Sequence, residues 1–242
     1  VQLKEIPWDL QTNWSTATHN HNNNNNNSPD GCFAYQLLDD NNNILGDIYF
    51  DLLERSHKFN NSGTFAIKNG CQLFTYKNDN NKRQIPSVAV LLSLASLNNI
   101  THYQLETIMH EIGHCLHYIF FTGQYQHFSG PRAELDFAEV PSIFMENFVN
   151  HPSSLKYFTN NIKSLKKYQK NRDVFIGLDT QHQLLLALFD QYIHLYPEIA
   201  LKDSTSTALL MKDIFEQYSS IPYVNDTYWQ VSFGHLAHYA AG

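Results

Sequence analysis

His110, Glu111 and His114 stand together in the run HEIGH. On a helix, residues four apart lie one turn apart on one face. Both imidazoles then point the same way, close enough to share one ion, and neutral imidazole is a good zinc ligand. Glu111 is turned about 100° around the axis from His110. It is badly placed as a further ligand but well placed to reach a water beside the metal. This is the physical content of the H-E-x-x-H pattern: two ligands and the general base of a metal-dependent peptidase. The plain alternative is an amphipathic helix with incidental histidines, in a chain that carries 13 of them.

A catalytic zinc takes three protein ligands and keeps a fourth position open. DFAEVPS, residues 136–142, supplies a carboxylate at the start of the next predicted helix. The intervening GQYQHFSGP is turn-like and lets that helix fold back, which makes Glu139 the natural third ligand. Asp136 and Glu146 fall on roughly the same face and could orient imidazole N–H groups. Read without a metal, Asp136 caps the helix and Glu146 faces solvent. His102, His117 and His127 surround the motif as neighbours or surface residues, since better ligands are already present. Cys115 points about 100° away from His114 and reads as a packed thiol. Gly113 costs a helix about 1 kcal/mol against alanine. Its expected use is to let another backbone come close to the ligand face.

These residues need a long helix and a fold that returns a second helix to it. Thr101 and Gln104 form a predicted capping box, and YQLETIMHEIGHCLHYIFF then runs to a stop near Gly123. Further helices are expected over about Asp136 to Val149, Ser154 to Tyr168, Thr180 to Tyr196 and Thr205 to Tyr218. Lys163, Lys166, Lys167 and Lys170 recur at helical spacing as a solvated face. Residues 32–95 read as β instead. CFAYQLL and ILGDIYFDL flank the turn-like DDNNN. TFAIK and CQLFTY flank Asn69-Gly70, a strong hairpin signal because both residues tolerate positive φ. PSVAVLLSL is a third apolar run, either a buried strand or the start of a helix. An edge strand here, IPSVAVLL or the FAIKNG hairpin, could pair with an extended peptide; otherwise both are core strands. The expected architecture is mainly α within an α+β class: a small antiparallel sheet at 32–95, then a helical body at 101–242 that carries the metal site, all in one domain.

Composition removes several other functions. The net charge is −7 and charged residues are only 16%. With no Lys/Arg cluster, nucleic acid is not an expected partner. No apolar run reaches the roughly 18 residues a membrane span needs, and Val1 onward does not read as a signal peptide. Three cysteines, Cys32, Cys71 and Cys115, have no disulfide or zinc-thiolate spacing. Free thiols in a reducing compartment are expected. The asparagine-rich insert at 19–30 cannot bury enough apolar area to offset its chain entropy and is expected to be disordered. Its His19 and His21 are too few to make a metal tract.

HEIGHCLH, YQHFSG and DFAEVPSIFMENF together resemble the thimet oligopeptidase family of zinc metallopeptidases. GDIYFDLLER with Lys58, FAIKNG, IPSVAVLL and the late IPYVNDTYWQVSFGHLAHYAAG resemble family segments in family order. The likeness runs from about Trp14 to the end, apart from the insert. It implies a zincin-like helical domain holding one zinc ion through His110, His114 and Glu139, with Glu111 as general base. It also implies that a late segment stabilises the oxyanion, and FGHLAHY offers His235 and Tyr239 for that role. Read without the family, these two are packed aromatic residues. One departure is His238, where relatives carry glycine before the tyrosine. The family further implies a large helical portion before the β-region and a tyrosine-rich segment after residue 242, so residues 1–242 are expected to be a partial catalytic domain. The branch it resembles most trims N-terminal octapeptides from imported mitochondrial precursors, which implies a monomer in the mitochondrial matrix acting on precursor proteins. The alternatives are a cytosolic oligopeptidase acting on short peptides and a non-catalytic remnant that binds metal or peptide.

Overall fold

The computed structural model describes residues 1–6, 31–73, 82–158, 163, 167, 170, 171, 173–202, 204–234 and 236. Residues 1–160 and 161–242 form two compact units, and each is described by itself. The asparagine-rich insert and Lys166 lie outside the described residues. So do most of residues 159–172, on which the end of the predicted helix Ser154 to Tyr168 falls. Lys163, Lys167 and Lys170 are helical and exposed.

Among the described residues the first unit has seven strands: β1 (Gln2–Glu5), β2 (Cys32–Leu38), β3 (Ile44–Leu53), β4 (Gly63–Lys68), β5 (Cys71–Gln72), β6 (Arg83–Gln84) and β7 (Ser87–Leu94). β2 and β3 form the expected hairpin. Its turn is held by Asp39, whose Oδ1 accepts from the backbone N–H groups of Asn41 at 2.9 Å and Asn43 at 2.8 Å. Asn42 takes the left-handed conformation, φ 63°, which asparagine tolerates. The five-stranded sheet has the order β1-β2-β3-β7-β4.

Two expectations are corrected. The sheet is mixed rather than antiparallel, because β7 runs parallel to β3 and antiparallel to β4. The cause is burial. Seven of the eight residues of β7 are buried, so this strand must be covered on both faces and takes an interior place, between β3 and β4. IPSVAVLL is therefore not an edge. Nor do Asn69 and Gly70 make a hairpin: β4 pairs with β7, and β5 pairs with β6 in a separate two-stranded sheet. Neither residue has positive φ. Their backbone is committed elsewhere, with Gln84 Nε2 donating to the Asn69 carbonyl at 2.7 Å.

Helix α1 (His102–Phe120) packs on this sheet. It starts at the predicted box: Gln104 N–H donates to Thr101 Oγ1 at 3.2 Å, and Thr101 N–H donates to Gln104 Oε1 at 2.9 Å. At its other end Arg83 donates to the carbonyls of Ile119 and Phe121, at 2.7 and 2.6 Å. Those carbonyls have no partner further along the helix. Cys115, Tyr118 and Ile119 of α1 close over Val88, Val90, Leu92 and Leu94 of β7, with Leu37 and Ile48. Burying one such aliphatic side chain is worth roughly 1.5–3 kcal/mol, so this core fixes α1 firmly to the sheet.

The helix expected from Asp136 to Val149 is two pieces, α2 (Leu135–Ala138) and α3 (Val140–Asn150), broken at Glu139. Pro141 is the cause. It lacks an N–H and disfavours helical φ/ψ before it, so it is tolerated only in the first turn of a new helix. A short α4 (Pro152–Phe158) follows.

The second unit contains α5 (Ile176–Leu195), α6 (Pro197–Lys202) and α7 (Ser204–Tyr218), with 3-10 turns at Asp173–Phe175 and Trp229–Ser232. Leu185, Phe189, Met211 and Ile214 form its core. Phe215 packs edge-on against Trp229 and Tyr223, with centroids 4.9 and 5.6 Å apart. No described helix is long and apolar enough to cross a membrane.

Candidate metal centre

α1 carries His110 and His114 one turn apart, their ring centroids separated by 4.9 Å. The break before α3 turns the Glu139 carboxylate onto them. Glu139 Oε2 lies 3.0 Å from His114 Nε2 and 3.3 Å from His110 Nε2. The three ligand atoms all lie within 4.8 Å of one another. Ligands about 2.0–2.1 Å from a tetrahedral ion sit about 3.3 Å apart. Two edges of this triangle therefore have the size that one small ion requires.

Gly113 makes the approach possible. A Cβ built there would lie 2.5 Å from the Pro141 carbonyl oxygen and 2.5 Å from Ser142 Cα. Only a glycine lets α3 cross α1 this closely one residue before His114, as the sequence led us to expect. The Ser142 hydroxyl, with one proton to donate, then lies 2.7 Å from Glu139 Oε2 and 2.8 Å from the Glu139 backbone carbonyl oxygen. That contact orients the carboxylate from within the same turn.

The imidazoles are prepared in different ways. His110 Nδ1 lies 2.6 Å from Glu146 Oε1. A carboxylate only accepts, so Nδ1 carries the proton and Nε2 presents its lone pair to the centre. Burial pushes the pKa of His114 down, against the opposing pull of Glu139, which favours the neutral form that binds metal. His114 Nδ1 is buried without a hydrogen-bond partner among the described residues. Two imidazoles and the Glu139 carboxylate, with Glu111 and Glu146 close by, make a donor set that suits a divalent cation.

Glu111 lies outside the three-ligand cluster and is only 5% exposed. Its Oε2 accepts a hydrogen bond of 2.8 Å from Thr64 Oγ1 on β4. The sequence did not single out Thr64. The two residues are 47 apart in the chain, and no local pattern links them.

The other candidates are placed as follows. Asp136, exposed on α2, makes no hydrogen bond or ion pair with either imidazole. Its carboxylate sits a full turn before the break, and Glu146 alone of the two reaches a ring. His117 packs edge-on against Phe137, 6.0 Å between centroids, and His102 lies beside Glu106 at 3.5 Å. His127 lies in a 3-10 turn, Gln126–Phe128. None of the three joins the cluster. Cys115 is 1% exposed within the core, and burial pushes its thiol pKa up, so it packs and does not ligate. His235 and Tyr239 lie outside the described residues.

Known proteins provide a second line of observation. The chain is 33% identical to the mitochondrial intermediate peptidase of Homo sapiens over 211 residues, which cover 82% of this chain and 28% of that protein. The Pongo abelii protein of the same name gives the same figures. The Arabidopsis thaliana one is 31% identical over 212 residues, 82% of this chain and 29% of its own length. The chain thus spans less than a third of these curated relatives. The model of Peptidase family M3 matches residues 20–242. That span takes in every element of the site, and the chain belongs to Peptidase family M3.

Proposed function

We propose that this chain carries the catalytic centre of a zinc-dependent metalloendopeptidase. The observation that supports this most is the meeting of His110, His114 and Glu139 around one point, at 3.0 and 3.3 Å, with Glu111 buried at the adjoining helical position. His110, His114 and Glu139 hold the ion. A bound zinc supplies Lewis acidity to the scissile carbonyl and to the attacking water. Glu111 takes the proton of that water and delivers it to the leaving amine. His235 and Tyr239 donate hydrogen bonds to the developing oxyanion, a donation worth about 3 kcal/mol for each good donor.

The substrate is an extended peptide. β4 is the last strand of its sheet among the described residues, and Thr64 joins it to Glu111. A peptide added along that edge reaches the general base without crossing another strand. The relatives are named as mitochondrial peptidases. On the family resemblance of the sequence, this centre works within a longer protein as a monomer and removes N-terminal octapeptides from imported precursors in the mitochondrial matrix.

Glu111→Gln tests the chemistry in the full-length, zinc-loaded protein. Hydrolysis of a quenched fluorescent peptide should fall by roughly 10²- to 10⁴-fold, with zinc content unchanged. Turnover near that of the wild type would overturn the assignment of Glu111.

A further inference from the structure

Thr64 stands on β4 opposite Val90 of β7. Its side chain faces α1, where its hydroxyl lies 2.8 Å from Glu111 Oε2 and 3.0 Å from the Glu111 carbonyl oxygen. A hydroxyl has one proton to donate. Donated to Oε2, it satisfies one oxygen of a carboxylate that is only 5% exposed. The other oxygen, Oε1, has no hydrogen-bond partner among the described residues. A glutamate side chain has three rotatable bonds, and α1 alone does not choose among their settings. The strand does, because β4 is paired to β7 from Gly63↔Leu91 to Lys68↔Ser87, and β7 is buried in the core beneath α1.

We infer that Thr64 is a positioning residue, whose hydroxyl holds Glu111 by Oε2 and leaves Oε1 turned to the attacking water. The inference rests on Glu111 being the general base. It adds that the sheet, and not only the helix, aims that base. Thr64 touches neither substrate nor metal in this role; it acts through Glu111. Because Thr64 lies on the strand proposed to receive the peptide, occupancy of that edge and the aim of the base are set by one element.

The test compares Thr64→Val, which keeps the shape and removes the donor, with Thr64→Ser, which keeps the donor. Glu111→Gln in the full-length protein is the control. Thr64→Val should lower kcat by roughly ten- to hundredfold, the usual loss when an orienting partner is removed. KM and zinc content should stay as in the wild type, and Thr64→Ser should recover most of the rate. A crystal structure of Thr64→Val provides a readout apart from turnover, and in it the Glu111 carboxylate should leave its present rotamer. An unmoved carboxylate, an unchanged kcat, or a loss that serine does not recover would each overturn the inference. If Glu111→Gln abolishes turnover while Thr64→Val does not, only the positioning role fails. If Glu111→Gln is active, the general-base reading fails with it.

Discussion

Replacing Gly113 with alanine should loosen the metal centre without touching a ligand. The new Cβ would meet the Pro141 carbonyl oxygen and Ser142 Cα at 2.5 Å, where ordinary contact begins at 3.4 Å, a shortfall of about 0.9 Å. Both atoms are backbone, so no flexible side chain can swing away. α3 must instead move off α1, and Glu139, two residues before Pro141, moves with it. The ligand distances of a metal site tolerate about ±0.2 Å, so a shift of this size is several times too large. Zinc affinity should fall by roughly ten- to hundredfold, on the scale of losing an orienting partner. Stability has two opposed contributions. Helix propensity favours alanine by about 1 kcal/mol, while overpacking costs about 1–3 kcal/mol, near the upper end against rigid backbone. A net loss of about 2 kcal/mol is expected. Competition with a chromophoric chelator measures the affinity, and urea unfolding of the metal-free protein measures the stability. A variant about 1 kcal/mol more stable than the wild type, holding zinc as tightly, would refute the close-approach argument.

Two further outcomes follow from other contacts. Glu146→Gln weakens the anchor 2.6 Å from His110 Nδ1 and should lower zinc affinity roughly tenfold or more, read by the same chelator competition. Asp51 is buried, which by itself would raise its pKa, but hydrogen bonds from Arg55 at 2.6 and 2.7 Å and from Lys58 at 2.9 Å outweigh that and hold it low. A depressed carboxylate stabilises the fold above its unfolded pKa of about 3.9, and that contribution is lost as pH falls through the folded value. Asp51→Asn should therefore cost about 3 kcal/mol at pH 7, and the gap to the wild type in urea unfolding should narrow below about pH 3.9. An equal gap at both pH values would contradict this account of the cluster.

Local signals in the sequence carried much of the site. The four-residue spacing of His110 and His114 and the cap at Thr101 depend only on helical periodicity, and both can be read directly. Gly113 in mid-helix also spoke for itself, since its cost needs a compensating close contact. The break at Glu139 was less plain, although Pro141 signals it in retrospect. Strand pairing was the least legible. Asn69-Gly70 has hairpin chemistry, yet Gln84 takes the Asn69 carbonyl and β4 turns to β7 instead. The parallel match of β3 with β7 is a choice among partners far apart in the chain, decided by burial of β7 on both faces. Thr64 is the same case at the site itself: its contact with Glu111 spans 47 residues, and its own neighbours in sequence give no hint of it.

The most direct measurement is the metal content of the purified protein beside that of a His110→Ala variant. The account predicts about one zinc per chain, lost when His110 is replaced, because it assigns the ion two imidazoles and one carboxylate among the described residues and the variant removes one of them. Equal metal in both proteins, or none in either after zinc is supplied, would contradict it.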